Sequence, residues 1–280
     1  MSNAGELNGI PEVLKKLNQY QYYRETDAIF FRGHSKTSYK LLPNIYRDRK
    51  IIDNEHIISK ELLLRCPQDF SHCRSTFEFL VKMQHYSLPT RLLDITTNPL
   101  IALYFACKSN QEHDGELITF SLPKEKIKYY DSDTVSVLAN ISRRPKDFKI
   151  PEIESIDDFN NHQDIKYLLH EIRAEKPYFL PLIVPKDLSS VICVKPKLDN
   201  PRIIRQDSAF FLFGIAKEKN NCATFPEEYV LSKKKRIIIK AKEKSRIINQ
   251  LEILGITEAT VFPEIEKVAN YIKTMYSTST

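Results

Sequence analysis

The apolar residues of this chain come in short runs whose spacing changes along the sequence, and nothing constrains its fold more. Ile10, Val13, Leu14 and Leu17 recur at helical spacing, whereas Ala28–Arg32, Glu116–Leu122 and Ala209–Phe213 read as short strands. A chain that mixes the two periods must lay helices against a sheet to bury either set. The longest apolar runs, Pro99–Cys107 and Tyr178–Pro185, fall well short of the roughly 20 residues a membrane-spanning helix needs. With 42% hydrophobic and 28% charged residues in 280, the chain can bury a sizeable core.

These patterns predict an α+β fold, with a central mixed or antiparallel sheet between an N-terminal helical region and C-terminal helices. Helices are expected at about 10–20, 55–64, 76–85, 100–108, 133–141, 160–174, 244–254 and 264–275. Strands are expected at 28–32, 116–122, 191–194, 209–213 and 236–241. Leu88–Thr97 reads as extended or irregular, carrying Pro89 and threonines of low helix propensity. Asn98 and Pro99 then form a cap and first turn for the helix that follows. Residues 1–24 are assigned to the N-terminal helix and 25–280 to the main domain. Met1–Ala4 resembles an expression-vector scar.

Five cysteines form an odd set with no CxxC pair, which argues against both a disulfide framework and a zinc ribbon. The seven histidines contain no HExxH and no pair at metal spacing, so no metal is expected. Residues 1–20 lack the charged-then-apolar pattern of a secretory signal, and a cytoplasmic location without membrane association is expected. The net charge of +6 is concentrated between Lys233 and Arg246. That cluster either attracts nucleic acid or is a solvated corner.

Three segments carry candidate chemistry. In the first, Phe30-Phe31-Arg32-Gly33-His34-Ser35, an arginine closes an apolar strand just before a glycine that permits close backbone approach. Arg32 there suits a phosphate or carboxylate. The second runs from Gln84 to Pro99 and packs His85, Thr90, Arg91, Asp94 and Asn98 into one short link. Arg91 and Asp94 either satisfy each other across a turn or serve a ligand, with Asn98 capping the helix. The third, Asn200–Gln206 leading into Ala209–Gly214, offers Gln206 as an orienting amide or a backbone cap.

Taken together, the Phe-Arg-Gly start, Leu42-Pro43 with Arg47, His85-Tyr86, Pro89–Asp94, Asn98-Pro99, Arg202-Ile203 with Gln206 and Phe210, and Ile256–Pro263 resemble the FRG domain of bacterial proteins. The resemblance covers about residues 25–275. Ser87 and Ser208 stand where that family often has glycine or a small residue. What the resemblance implies is a bacterial defence or toxin-like setting, and it names no reaction. The order of parts is also similar to that of ADP-ribosyltransferases, in which a strand-end Arg or His holds NAD, a Ser/Thr-bearing strand lines the nicotinamide pocket, and a late acidic residue steadies the transition state. This likeness implies NAD as substrate. It makes His85, Asp94 and Gln206 catalytic candidates, and Arg32, Gly33, His34, Thr90, Arg91 and Asn98 binding candidates. Gln206 departs from the expected acid, so Asp94 or Asp207 supplies the charge, or the pocket binds a nucleotide without cleaving it. The alternative is a non-catalytic nucleotide- or nucleic-acid-binding or interaction module.

Overall fold

Successive strand residues face opposite sides of a sheet, and Phe30 and Phe31 divide two cores in this way. In the computed structural model, which describes residues 9–18, 25–231 and 236–277, Phe31 packs with Ala102 and Leu103 while Phe30 packs with Ile118 and Phe120. The chain begins with α1 (Ile10–Asn18) and β1 (Asp27–His34), then α2 (Arg49–Asp53), α3 (Glu55–Arg65) and α4 (Thr76–His85). Next come β2 (Leu92–Thr96), α5 (Pro99–Cys107), β3 (Gly115–Pro123) and β4 (Ile127–Tyr129). A helical stretch follows: α6 (Asp133–Asn140), α7 (Ile156–Asn161), α8 (Gln163–Glu175) and α9 (Pro185–Leu188). The remainder is β5 (Val191–Lys195), α10 (Pro201–Arg205), β6 (Ser208–Phe213), β7 (Ile237–Ile239), α11 (Lys244–Ile253), α12 (Glu258–Val261) and α13 (Ile265–Ser277).

The fold is α+β, as the patterning predicts. Its seven strands are ordered β4-β5-β6-β2-β1-β3-β7. Neighbours run antiparallel except β4 and β5, which are parallel. The segment at Leu88–Thr97 contributes the central strand β2, whose Leu92, Leu93 and Ile95 are buried.

The sheet is nearly split at its middle. β1 pairs with β3 along its whole length, from Asp27 opposite Pro123 to His34 opposite Glu116. β2 pairs with β6 from Leu92 to Thr96. Between β1 and β2 there is one register pair, Phe31 opposite Thr96. Beyond it, where continued pairing would set Gly33 against Asp94, the strands part.

Helix α5 crosses beneath this junction because Gly33 lets it approach. A Cβ at Gly33 would fall 1.8 Å from the Ala102 carbonyl oxygen, so any other residue would push helix and strand apart. The helix starts where the sequence says it should: Asn98 Oδ1 accepts the Leu100 N–H at 3.0 Å, ahead of Pro99 at the first turn. Asn200 and Pro201 start α10 by the same device.

Candidate functional site

Where β1 and β2 diverge, a cleft of about 390 Å³ opens, lined by Arg32, Asp94, Thr96 and Gln206 among others. Arg32 takes over the bonding that the parted backbones give up. Its Nη1 donates to the Asp94 carbonyl at 2.5 Å, and its Nε donates to His34 Nε2 at 3.0 Å. Its Nη2 has no hydrogen-bond partner among the described residues. Burial draws this guanidinium below its ordinary value, with Asp94 opposing.

Asp94 is the exposed position in an otherwise buried strand. Gln84 Nε2 donates to its Oδ2 at 2.8 Å, and Thr90 Oγ1 donates in turn to Gln84 Oε1 at 2.6 Å. Thr90 thus acts behind Gln84 and outside the cleft lining. Asp94 Oδ1 carries no hydrogen bond among the described residues and is free to face a ligand.

Gln206 is buried, and its Nε2 donates to the Val261 carbonyl at 3.0 Å. That fixes the amide and leaves Oε1 without a hydrogen bond among the described residues. Thr96 Oγ1 donates to the Gln206 carbonyl at 2.6 Å, joining β2 to the end of α10. Two further arginines line the cleft, Arg47 and Arg202. Arg47 lies over the Tyr39 ring, 5.6 Å from its centroid, and Arg202 over Phe262 at 4.6 Å. Three guanidinium groups and one carboxylate around a half-open cleft suit an anionic ligand that also bears hydroxyl groups.

The structure assigns other predicted residues elsewhere. His85 follows Gln84 by one position, so the roughly 100° step of a helix turns it away from the cleft. It lines a second cavity of about 420 Å³ with Phe77, Val81 and Ile203. Burial, helped by Arg202, pulls its imidazole down to about 4. Its Nδ1 is buried without a hydrogen-bond partner among the described residues. Its carbonyl accepts Arg202 Nη1 at 2.8 Å, so its link to the cleft is through backbone.

Arg91 is fully buried and pairs with Glu55, not Asp94, at 2.7 Å through Nε and 2.6 Å through Nη2. Extended chain sends residues 91 and 94 to opposite sides. Tyr46 and Lys219 complete the cluster, with Arg91 Nη1 donating to the Tyr46 hydroxyl at 3.0 Å and Lys219 Nζ 3.2 Å from Glu55 Oε2. Burial alone would raise the Glu55 carboxyl, but Arg91 and Lys219 outweigh it and hold it low. Burial takes Lys219 down to about 8 against the opposing pull of Glu55. Arg91 therefore holds the fold and does not reach the cleft. Asn98 caps α5, as the capping pattern suggests, and its Nδ2 also donates to Asp207 at 3.2 Å.

His34 does line the cleft, backed by Glu116 at 3.1 Å. Sequence reasoning passed over Gln84 and Glu116, which position the two charged groups. No sequence signal points to Glu116, because its place opposite His34 is set by the β1–β3 register. Ser87, where the family often has glycine, sits at the cleft with φ of 65°, in the left-handed region that glycine occupies at least cost.

Of the basic cluster, Lys233–Lys235 lie outside the described residues. Within the rest, Arg236 pairs with Glu116, Lys240 with Asp114, and Lys244 donates to the carbonyls of Ser35, Ser109 and Asn110. Among the described residues, no three His, Cys, Asp or Glu side chains gather as a metal site, and no helix is long and apolar enough to cross a membrane.

Comparison with curated proteins and with solved structures gave no match. Residues 27–115 match the family model of the FRG domain, from the first residue of β1 to the first of β3. The matched segment holds Arg32, Gln84 and Asp94, while Arg202 and Gln206 come from beyond it. The chain therefore carries an FRG domain, and that domain supplies the cation and the carboxylate of the cleft.

Proposed function

We propose that the split-sheet cleft binds NAD and that the chain is an ADP-ribosyltransferase-like transferase. One observation carries the reading: Arg32 and Asp94 line the same cleft, with Nη2 of the one and Oδ1 of the other unpaired among the described residues. A guanidinium suits a pyrophosphate, and a fixed carboxylate suits the positive charge that develops on ribose as nicotinamide leaves. Arg47 and Arg202 add to the attraction for phosphate. The placement of Arg32 on β1, Thr96 on the adjoining β2 and Gln206 just before β6 supports the likeness in the order of parts.

In this reading the bond between ribose C1′ and the nicotinamide nitrogen breaks, and its electron pair stays with nicotinamide, which leaves neutral. Asp94 stabilises the cation shared by C1′ and the ring oxygen. A hydroxyl or amine of the acceptor then forms the new bond to C1′ and releases its proton to water. Gln206, an amide, orients the ribose by accepting a hydrogen bond from a ribose hydroxyl at Oε1 and takes no part in charge stabilisation. The acceptor is a macromolecule of unassigned class.

Calorimetric titration of NAD tests the binding. Arg32→Ala is expected to weaken it by roughly 10- to 100-fold, the worth of a charged hydrogen bond. Asp94→Asn is expected to leave binding intact and to slow nicotinamide release by about 100-fold. NAD failing to bind the unaltered protein, or binding Arg32→Ala equally well, would remove the proposal.

A further inference from the structure

His34 sits between two groups that each allow it one role. On one side is Glu116, set opposite it in the β1–β3 register. An ionised carboxylate can only accept, so His34 Nδ1 carries the hydrogen at 3.1 Å from Oε1. On the other side is Arg32 Nε–H, which can only donate, so His34 Nε2 must present a lone pair at 3.0 Å. One protonation state meets both demands: the neutral ring with its proton on Nδ1. Arg236 Nη1 reaches both Glu116 oxygens, at 3.2 and 3.1 Å, and holds that side chain in place. His34 and Glu116 are each only 2% exposed, so solvent does not substitute for either partner.

We propose that Glu116 and His34 are positioning residues for Arg32, holding its guanidinium at the cleft through a hydrogen bond that exists only while His34 is neutral. The inference rests on the anion-binding reading of Arg32 given above. It goes further by assigning the order Arg236, Glu116, His34, Arg32 as the means by which a half-buried arginine is fixed with one face left for ligand. Second-layer partners of this kind commonly set affinity by an order of magnitude without touching the ligand.

Acid reverses the geometry. A proton on His34 Nε2 would put two N–H donors face to face, and Arg32 would lose one of its two anchors. The charged groups around His34 are Arg32 from its own strand, Glu116 from β3 and Arg236 from the segment leading into β7. The Tyr39 ring stands edge-on at 6.0 Å, and the α5 atoms nearest the neighbouring Gly33 are backbone. Burial, the largest influence, favours the neutral ring, Arg32 and Arg236 act in the same sense, Glu116 opposes them, and the ring stays below the ordinary histidine value. A cation added near an anion site should otherwise tighten binding. The positioning role requires the opposite sign.

The test pairs a ligand-free measurement with a binding profile on the full chain. Nitrogen-15 NMR without ligand should find His34 neutral with its proton on Nδ1 at pH 7.5. The Arg32 Nε–H signal should be protected from exchange and should vanish together with that state on acidification. NAD affinity should fall about ten-fold as His34 titrates. In His34→Gln, whose amide oxygen can accept from Arg32 but cannot titrate, that acid loss should be absent. Glu116→Gln should weaken NAD at pH 7.5 by about ten-fold. A proton on Nε2 at pH 7.5, an affinity that is flat or tighter in acid, or the same acid loss in His34→Gln would overturn the inference. If the NMR signature is found but NAD does not bind at any pH, the positioning geometry stands and the transferase reading falls.

Discussion

Stability between pH 6.5 and 4 should depend heavily on one side chain outside the cleft. His85 is neutral in the folded state down to about 4 because burial and Arg202 both oppose its protonation. An unfolded histidine takes up a proton near 6.5. Between those values the unfolded chain binds a proton that the folded chain does not, so acid favours unfolding. The contribution of His85 is fully present above about 6.5, declines as pH falls, and is gone near 4. The gap corresponds to about 3 kcal/mol, a large part of the 5–15 kcal/mol that holds a typical domain together. Urea unfolding followed by circular dichroism at pH 7.5, 6, 5 and 4.5 should show the unaltered protein losing stability faster than His85→Gln. The two curves should converge by up to about 3 kcal/mol across the range. Carboxylates and the other histidines titrate in both proteins and largely cancel in the difference. Parallel curves would refute the reasoning, because they would mean the buried imidazole is no harder to protonate when folded.

Three other expectations follow from the geometry. Arg91→Met should destabilise by about 3 kcal/mol or more, since it removes one partner of a buried ion pair, whereas Asp94→Asn at its exposed position should alter chemical-denaturation midpoints little. Equal losses in the two would contradict the assignment of Arg91 to Glu55. Gly33→Ala should lower the melting temperature sharply, costing about 3 kcal/mol or more, because backbone rather than a pliable side chain meets the new methyl group; an unchanged melting curve would mean that β1 and α5 are not so close. Ser87→Gly should raise stability by up to about 1 kcal/mol by relieving a left-handed backbone, and a fall on thermal denaturation would argue against that strain.

Much of the local structure was legible because its causes are local. The strand pattern at Ala28–Arg32, the Asn-Pro starts at 98 and 200, and the apolar run into Phe213 each depend on a few adjacent residues. Arg32 could be singled out as a cation ending an apolar strand, and Asp94 as a carboxylate in an awkward place, and both line the cleft. Position along the chain misled where facing mattered. His85 and Arg91 sit beside genuine cleft residues in sequence but point elsewhere. A single step along a helix separates His85 from Gln84, and three steps along extended chain separate Arg91 from Asp94.

The residues themselves dictated the α+β class, the caps and the presence of an arginine suited to an anion and an aspartate near it in the cleft. Only the packed chain decided which of the polar groups meet. Glu55 reaches Arg91 across 36 positions, and Glu116 reaches His34 across 82, distances over which neither helical nor strand periodicity carries information. The cleft has the same origin: it exists because β1 and β2 share one register pair and then part, while α5 packs against Gly33.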